Sequence, residues 1–556
     1  CEKYRDPITR KPKDRIIRSL GFADTYDHLY DDPIAHFRDV VKQMNEEQKH
    51  VSSLSVLIDM DEALVPDSSD LKNVGYGFIK RIYKALEIDK FWKGVTKKEN
   101  TNIDLEKIFS LLVFMRIIRP GSKKDTYEHK DMLFESFDDI KLDDVYRALD
   151  YYTKYDAEFQ VWLYDHSAPL YKRNIRTTYF DCTNFYFEID REDDFRLKGP
   201  SKENKKEPIV GLGLLLDANQ IPIGMKLYPG NESEKPVLRT VMDDLKQRNH
   251  ISGRTIQVAD KGLNCCANIL HALKAGDGYI FSKSVKTLPE TEKTWVLLEN
   301  DYKDIKNQKG ELLYRIKECV DDFTYTYTDG SSHKRSLKLT EKRIVTFNPK
   351  LAEKQKYEIN KQVEKAKSLK ACQAKRSEYG DSAKYVSFVP ADKTGQKTDG
   401  TVKAELNEKA IDNARRLAGY NMIVTSELHM PASDIYAAYH NLWRIEESFR
   451  IMKSQLDARP VYLQKEETIT GHFLICYLAV LLTRILQIHI LKGQYSTEEI
   501  FDFIRDFRVA KISDRKYINL ARSSSFIKDF SVQTGLPLTS YFLGNEDIKK
   551  VLGHRF

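Results

Sequence analysis

Three carboxylates stand in places where their chemistry is hard to ignore. Asp181 lies in the middle of TTYFDCTNFYF, residues 177–187. That stretch is β-branched and aromatic on both faces, as a strand inside a covered sheet is. A buried aspartate without a partner is costly, so a positive group is expected beside it. Asp260 ends a second short apolar stretch, TIQVAD. Glu446 sits in YAAYHNLWRIEESFRIMKSQL, residues 436–456, which holds neither Gly nor Pro. There Ile435, Ala438, Leu442, Ile445, Phe449, Met452 and Leu456 recur at steps of three and four, the stripe of an amphipathic helix with Ser433 as its N-cap. Beside the stripe, Tyr439, Glu446 and Lys453 are seven residues apart and stack on one line, flanked by Trp443 and Arg450. On the helix alone, a half-buried glutamate with intrahelical partners explains this row equally well. If the strands carrying Asp181 and Asp260 are parallel neighbours, both aspartates emerge at one edge, where the helix can bring Glu446. Three converging carboxylates repel unless they bind hard divalent cations, and oxygen-only ligation suits Mg²⁺ or Mn²⁺. Two such ions roughly 3.5–4 Å apart serve phosphodiester chemistry.

The elements that must position these groups can be read in order. Residues 1–175 are mostly helical, with apolar spacing predicting helices over 33–46, 70–86, 104–118 and 157–172. Lys and Arg alternate with aromatics there, in GFIKRIYKAL and LYKRNIR, as in a basic module that holds DNA or as in solvated helix faces. From residue 176 the order becomes three strands, a helix over 233–248, the TIQVAD strand, a helix over 264–274 and a strand at GYIFSKS. Three antiparallel strands feeding parallel β-α-β units make a mixed sheet with helices on its faces. Residues 285–420 interrupt that pattern as a β-rich insertion with a charged helix over 351–376, and the sheet signal returns at NMIVT, 421–425. The chain therefore divides into 1–175, a core in two parts at 176–284 and 421–492, the insertion between them, and a C-terminal region, 493–556.

Composition sets bounds on the rest. The chain has 556 residues, enough for several domains, and is 41% hydrophobic and 31% charged. Its net charge of +7, from 90 basic and 83 acidic residues, permits a polyanionic partner without requiring one. Seven scattered cysteines with no C-x-x-C pair read as a reduced, intracellular protein without a structural zinc site. The opening CEKYRDPITRKPKDR has no apolar signal core, and the apolar run 473–482 is too short to span a bilayer and reads as a core helix. A cytoplasmic location without membrane contact is expected.

Four pieces together carry a resemblance: YFDCTNFYFE with Asp181, GLLLDANQIPIGMKLYPGNESEK, VADKGLN with Asp260, and YHNLWRIEESFRIMKSQL with Glu446. In this order, with a long insertion before Glu446, they resemble the DDE transposases of bacterial insertion sequences, in the superfamily usually numbered four and its sixteen-thirty-four group. The last piece resembles that family's Tyr-x2-Arg-x3-Glu-x6-Lys signature. Tyr439, Glu446 and Lys453 match it, while Leu442 stands at the Arg position, with Arg444 and Arg450 nearby. The resemblance covers about 177–490. It implies an RNase H-like fold with a β-rich insertion, and a catalytic triad of Asp181, Asp260 and Glu446 holding two Mg²⁺ or Mn²⁺ ions. It implies DNA contacts by Tyr439, Arg444 or Arg450, and Lys453. The partners implied are double-stranded DNA, as element ends and target, and a second subunit in a dimer on paired ends. The implied reaction cuts the ends and then joins the freed 3′-hydroxyl to target DNA, in some relatives through a hairpin with a flipped base; Trp295 and the tyrosines of FTYTYTD are candidates to hold it. A metal-dependent nuclease that never joins, or an inactive DNA-binding relative, are the alternatives.

Other polar residues have ordinary explanations. Glu447 points about 100° away from Glu446 and is assigned to solvent or a lysine. Asp217 is expected in a hairpin turn. His472 is read as a helix-start residue. Lys202, Lys205 and Lys206 form a loop that tracks a phosphate backbone or merely keeps the loop soluble.

Overall fold

Apolar stretches covered on both faces become the middle strands of one large sheet. The computed structural model describes residues 71–553 apart from 201, 203–205, 249–252, 329–332, 372–375, 390–402, 460 and 514, together with parts of 2–49. It divides into two units, Cys1–Pro66 and Asp67–Phe556. In the first, Pro33–Lys49 is a helix and Glu2–Arg5 pairs with Pro12–Arg15.

The second unit is built on a mixed nine-stranded sheet. Its strands are β1 (Thr177–Tyr186), β2 (Ile209–Leu216), β3 (Pro222–Pro229), β4 (Ile256–Ala259), β5 (Gly278–Lys283), β6 (Lys303–Lys306), β7 (Leu312–Thr328), β8 (Lys334–Phe347) and β9 (Tyr420–Thr425). They lie in the order β3-β2-β1-β4-β5-β9-β8-β7-β6. β1, β4 and β5 are parallel, and every other pair is antiparallel. Every residue of β2 is buried, as expected of a strand with helices on both faces.

The two faces have separate cores. On one, Phe180, Cys182, Leu215 and Ala259 pack on Val237, Leu238 and Val241 of a helix, Glu234–Arg248. On the other, Tyr179, Phe185, Leu212 and Val258 join the core that holds Leu105–Ile118 and Glu466–Arg484. Glu466–Arg484 continues as a π-helix to Ile490, so it is longer than the 473–482 run suggested. By length and composition it is able to cross a membrane, but its most apolar stretch is 83% buried inside the protein. It is the central helix of the fold.

Three differences from the sequence reading have physical causes. Residues 70–86 are not one helix. Leu71–Asn73 is a strand that pairs with Arg508–Ser513, and the helix runs Tyr76–Ala85. The Asn73 carbonyl oxygen of its side chain accepts from the Tyr76 N–H at 3.0 Å, while its amide donates to the Ile504 carbonyl at 2.8 Å. Gly75 allows the backbones to meet, since a Cβ there would lie 2.2 Å from the Ile504 oxygen. No local pattern reports a partner so far along the chain. Second, the hairpin of 285–420 continues the main sheet instead of closing on itself. β7 and β8 pair from Arg315–Phe347 out to Thr328–Lys334, and β8 pairs with β9. Among the described residues, Pro349–Ala371, the helix Glu408–Arg416 and the small sheet of Val386–Val389 and Lys403–Leu406 form clusters of their own. Third, basic residues of GFIKRIYKAL have partners within the protein: Arg81 is buried and donates to the Val551 carbonyl, the half-buried Lys80 pairs with Glu135, and the exposed Lys84 pairs with Asp89.

Asp217 is in its turn, but it is fully buried. One carboxylate oxygen accepts from the Ile221 N–H at 3.0 Å, and the other has no partner. Burial pushes this carboxyl up from 3.8 to about 7, against the pull of the Ile221 N–H and Arg173. The folded chain therefore keeps a proton that the unfolded chain releases, so stability is full below the unfolded value and falls as pH rises through about 7. Asp217→Asn removes the charge and keeps the shape. It is expected to match the wild type near pH 4 and to exceed it at pH 8 by on the order of 4 kcal/mol. Thermal melts across that range check this; parallel profiles for the two proteins would show that Asp217 carries no proton into the fold.

Candidate active site

The parallel pairing of β1 with β4 sets the site. Tyr179 faces Val258 and Phe180 faces Ala259, so the next residues in register are Asp181 and Asp260. Neighbouring strands lie roughly 4.8 Å apart, and by alternation both aspartates project on the face of Tyr179 and Val258. Asp181 is pushed up to about 6, chiefly by burial. The Lys202 ammonium and the Cys182 N–H, 2.8 Å from Asp181 Oδ1, pull it down, while Glu234 and Asp260 push it further up.

The positive group expected beside Asp181 is Lys202. Its ammonium lies 3.6 Å from Asp181 Oδ1 and 3.4 Å from Glu234 Oε1, and it donates to the Cys182 carbonyl. Burial opposes its charge, but Asp181 and Glu234 hold the ammonium above its usual range. Lys205 lies outside the described residues. Glu234 is a fourth carboxylate that the sequence reading missed. It opens the helix Glu234–Arg248, and a side chain on Gly262, just past Asp260, would meet its Oε2 at 4.0 Å. In the sequence it shows only as an acid in a helix's first turn, a common residue there.

The stretch around Glu446 is buried along the predicted stripe, with Ile435, Leu442, Ile445, Phe449, Met452 and Leu456 all inside. It is three pieces, however, and not one helix: Ala432–His440, Trp443–Arg450 and a π-helical turn, Ile451–Gln455. Pro431, not Ser433, precedes the first turn. The Leu456 N–H reaches back to the Ile451 carbonyl at 2.9 Å, which widens the last turn and takes Lys453 off the straight seven-residue line. Lys453 Nζ lies 5.3 Å from the centre of the Phe185 ring, on the same face of β1 as Asp181.

Tyr439 ties the pieces to the sheet. Its hydroxyl donates to Asp260 Oδ1 at 3.0 Å. Burial holds this phenol protonated, reinforced by Asp260 and, more weakly, by the nearby Glu446. Glu446 itself is exposed, as is Arg450. Arg444 turns away from the site: its guanidinium lies 3.8 Å over Trp443 and donates to Glu447 Oε2 at 3.3 Å.

Two assignments are corrected here. Glu447 is buried, not solvated. Its Oε2 accepts from Arg484 at 2.8 Å and its Oε1 from Thr497 at 2.9 Å. The periodicity was right about direction, but the helix is covered on that side as well, by Glu466–Arg484 and Thr497–Asp506. Burial is the largest influence and would raise Glu447, but Arg484, Thr497 and Arg444 together outweigh it and keep the carboxylate low. His472 does not start a helix; the helix begins at Glu466, and His472 is buried within it.

Asp181, Asp260, Glu446 and Glu234 offer oxygen alone, the donor type of Mg²⁺ or Mn²⁺. Among the described residues, no three acidic, His or Cys side chains stand close enough to grip an ion in this conformation. The Lys202 ammonium is a cation that Asp181 and Glu234 share. Of the aromatics in 285–420, Trp295 lies under the Lys317 ammonium at 4.8 Å, and Tyr325 donates to the buried Glu341.

The model of the transposase DDE domain family matches residues 175–482. No curated protein matches the chain. Among solved structures, the piggyBac transposase synaptic complex with hairpin DNA is similar over 78% of this chain and 79% of that one, at 8% identity and a TM-score of 0.36. The Mos1 transposase paired-end complex with left transposon end is similar over 44% of this chain and 66% of that one, at 10% identity and a TM-score of 0.15. Neither likeness is close enough to carry an inference about this chain.

Proposed function

The chain belongs to the transposase DDE domain family, and on that premise we propose that it is a DNA transposase with an RNase H-like core that cleaves the ends of a mobile element and joins them to target DNA. The observation that carries this reading is the β1–β4 register, which sets Asp181 beside Asp260, with Tyr439 linking Asp260 to the segment that bears Glu446. Asp181, Asp260 and Glu446 would hold two Mg²⁺ or Mn²⁺ ions, which when bound supply Lewis acidity to a phosphodiester and an activated oxygen nucleophile. The protein's own groups prepare that place. Tyr439 fixes the orientation of the Asp260 carboxylate. Lys202 balances the charges of Asp181 and Glu234. Arg450, exposed one turn beyond Glu446, and Lys453 are proposed to hold DNA phosphates beside the cut, with Arg444 committed to Glu447. The signature that matches Tyr439, Glu446 and Lys453 places the chain, in this reading, with insertion-sequence transposases of the superfamily numbered four. Sequence-specific contact with the terminal repeats is assigned to the region before residue 175, because phosphate contacts at the core carry no sequence information. Two ends must be cut in concert, which favours a dimer on paired ends.

A strand-transfer assay tests the reading. Purified protein, Mg²⁺, a labelled duplex ending in the element's terminal repeat and a supercoiled target should give joined product. Cleaved ends with no joined product at any time would mark a nuclease instead.

A further inference from the structure

Away from the carboxylates, a cavity of about 390 Å³ opens among Arg116, the loop before Lys123, and Asp457, Arg459, Val461 and Tyr462. Its wall contains two cations that the fold has buried, Arg116 at 4% exposure and Lys123 at 5%. Among the described residues, neither meets a carboxylate. Arg116 spends its terminal nitrogens on the carbonyls of Leu456, Asp457 and Gly121, at 3.3, 3.4 and 2.8 Å, and its buried Nε has no partner. The Lys123 ammonium meets Nδ1 of His472 at 3.0 Å, while Nε2 of that ring faces the Ala458 carbonyl at 3.3 Å. This network assigns a neutral imidazole with its proton on Nε2. Burial, with Lys123 and Arg116 beside it, keeps His472 from protonating. Arg459 adds a third cation to the lining. Asp457 is exposed and makes no ion pair with either buried cation.

Buried cations without an anion are costly, and Lys123 shows the strain: burial, with Arg116 adding to it, pulls its ammonium down to about 7. What relieves such a place is a compact anion with several acceptor oxygens. Arginine forks and a lysine point charge together are the usual partners of phosphate. Tyr462, 73% exposed at the same cavity, offers a ring against which a sugar or base can lie, which favours a phosphate carried on a strand over a free ion.

The geometry points to a phosphate-binding pocket formed by Arg116, Lys123 and Arg459 that seats one backbone phosphate of bound DNA. That the phosphate belongs to DNA rests on the transposase reading; the pocket itself does not. Arg459 lies over the ring of Tyr186, at 5.1 Å, and Tyr186 follows Asp181 by five residues in β1. The pocket is then on the order of 16 Å along the strand from Asp181.

The full-length protein is titrated with inorganic phosphate against potassium chloride of equal ionic strength, following the melting temperature, and separately with duplex DNA at several salt concentrations. Phosphate should stabilise the wild type beyond the chloride control. Lys123→Met should weaken phosphate at least tenfold yet melt no lower than wild type without phosphate, since it removes a buried unpaired charge. Arg459→Gln, at a less buried position, should also weaken phosphate and guards against misfolding of the first variant. With DNA, both variants should lower the salt slope by about one. Undiminished phosphate stabilisation in both variants overturns the pocket, as does a Lys123→Met chain that melts well below wild type while keeping its phosphate response. Phosphate binding lost with the DNA salt slope unchanged keeps the pocket for free phosphate and removes the DNA assignment. A wild-type chain that binds phosphate but no DNA overturns the transposase reading and leaves the pocket standing.

Discussion

Asp181→Asn, Asp260→Asn and Glu446→Gln are each expected to lose cleavage and joining by at least ~10³-fold while binding of duplex ends stays within a factor of about two of wild type. Each change keeps the volume and hydrogen-bonding reach of the side chain and removes one negative charge. Folding should not suffer. Asp181 is held at about 6 mainly by burial, and Asp260 and Glu234 crowd it further, so the neutral amide relieves a cost that the metal-free chain bears. An unchanged or slightly raised melting temperature in the absence of divalent ions is therefore part of the prediction. Calorimetric titration with Mn²⁺ gives a readout independent of turnover, and each variant should lose at least one ion. Double variants should be no worse than singles, because one missing carboxylate already disables the arrangement. Glu234→Gln should behave differently. Glu234 meets the site through Lys202 rather than at its centre, so a loss of ~10–100-fold is expected, recovered in part by more Mg²⁺. If Glu234→Gln is dead while one of the three is tolerated, the triad has been assigned to the wrong acids.

The parts legible in the sequence share one property: their signal is local. A strand with both faces apolar announces itself, and a carboxylate inside it, such as Asp181, stands out against its neighbours. The mixed sheet followed from the order of strands and helices, and the buried stripe through Ile445, Phe449 and Met452 from periodicity. What was not legible depends on distant pairing. Leu71–Asn73 is a strand only because Arg508–Ser513 lies beside it. The hairpin of β7 and β8 joins the main sheet only because β9 returns between β5 and β8. Lys202 reaches Asp181 across a loop whose path no pattern specifies, and Glu234 looks like any acid at a helix start. A helical wheel shows one apolar face, so it cannot show that a second face is covered by polar partners. Glu447 was misplaced for that reason.

Breaking the Glu447–Arg484 pair is expected to cost about 3–5 kcal/mol, the largest stability effect of any single charge in this region. Arg484 is completely buried in the central helix, and its Nε and Nη2 have no partner. Its Nη1 is shared between Glu447 Oε2 at 2.8 Å and Gln487 at 2.6 Å. Glu447→Gln would leave that guanidinium with no anion in a dry place, so the variant should melt several degrees below wild type. Arg484→Met should be as harmful, because it strands the Glu447 carboxylate with only Arg444, at 3.3 Å, to oppose it. The double variant Glu447→Leu with Arg484→Met removes both charges together and should recover most of the lost stability. The functional consequence follows from adjacency. Glu447 and Glu446 are consecutive on the helix Trp443–Arg450, about 100° apart, so the ion pair that fixes one sets the rotation of the other. Below the melting range, Glu447→Gln should therefore cleave more slowly than its folded fraction allows, and the double variant should regain cleavage along with stability, since the apolar pair again anchors the helix. A double variant that is stable but inactive would move Glu447 from positioning into the chemistry itself; a Glu447→Gln chain as stable as wild type would show that the pair holds nothing in place.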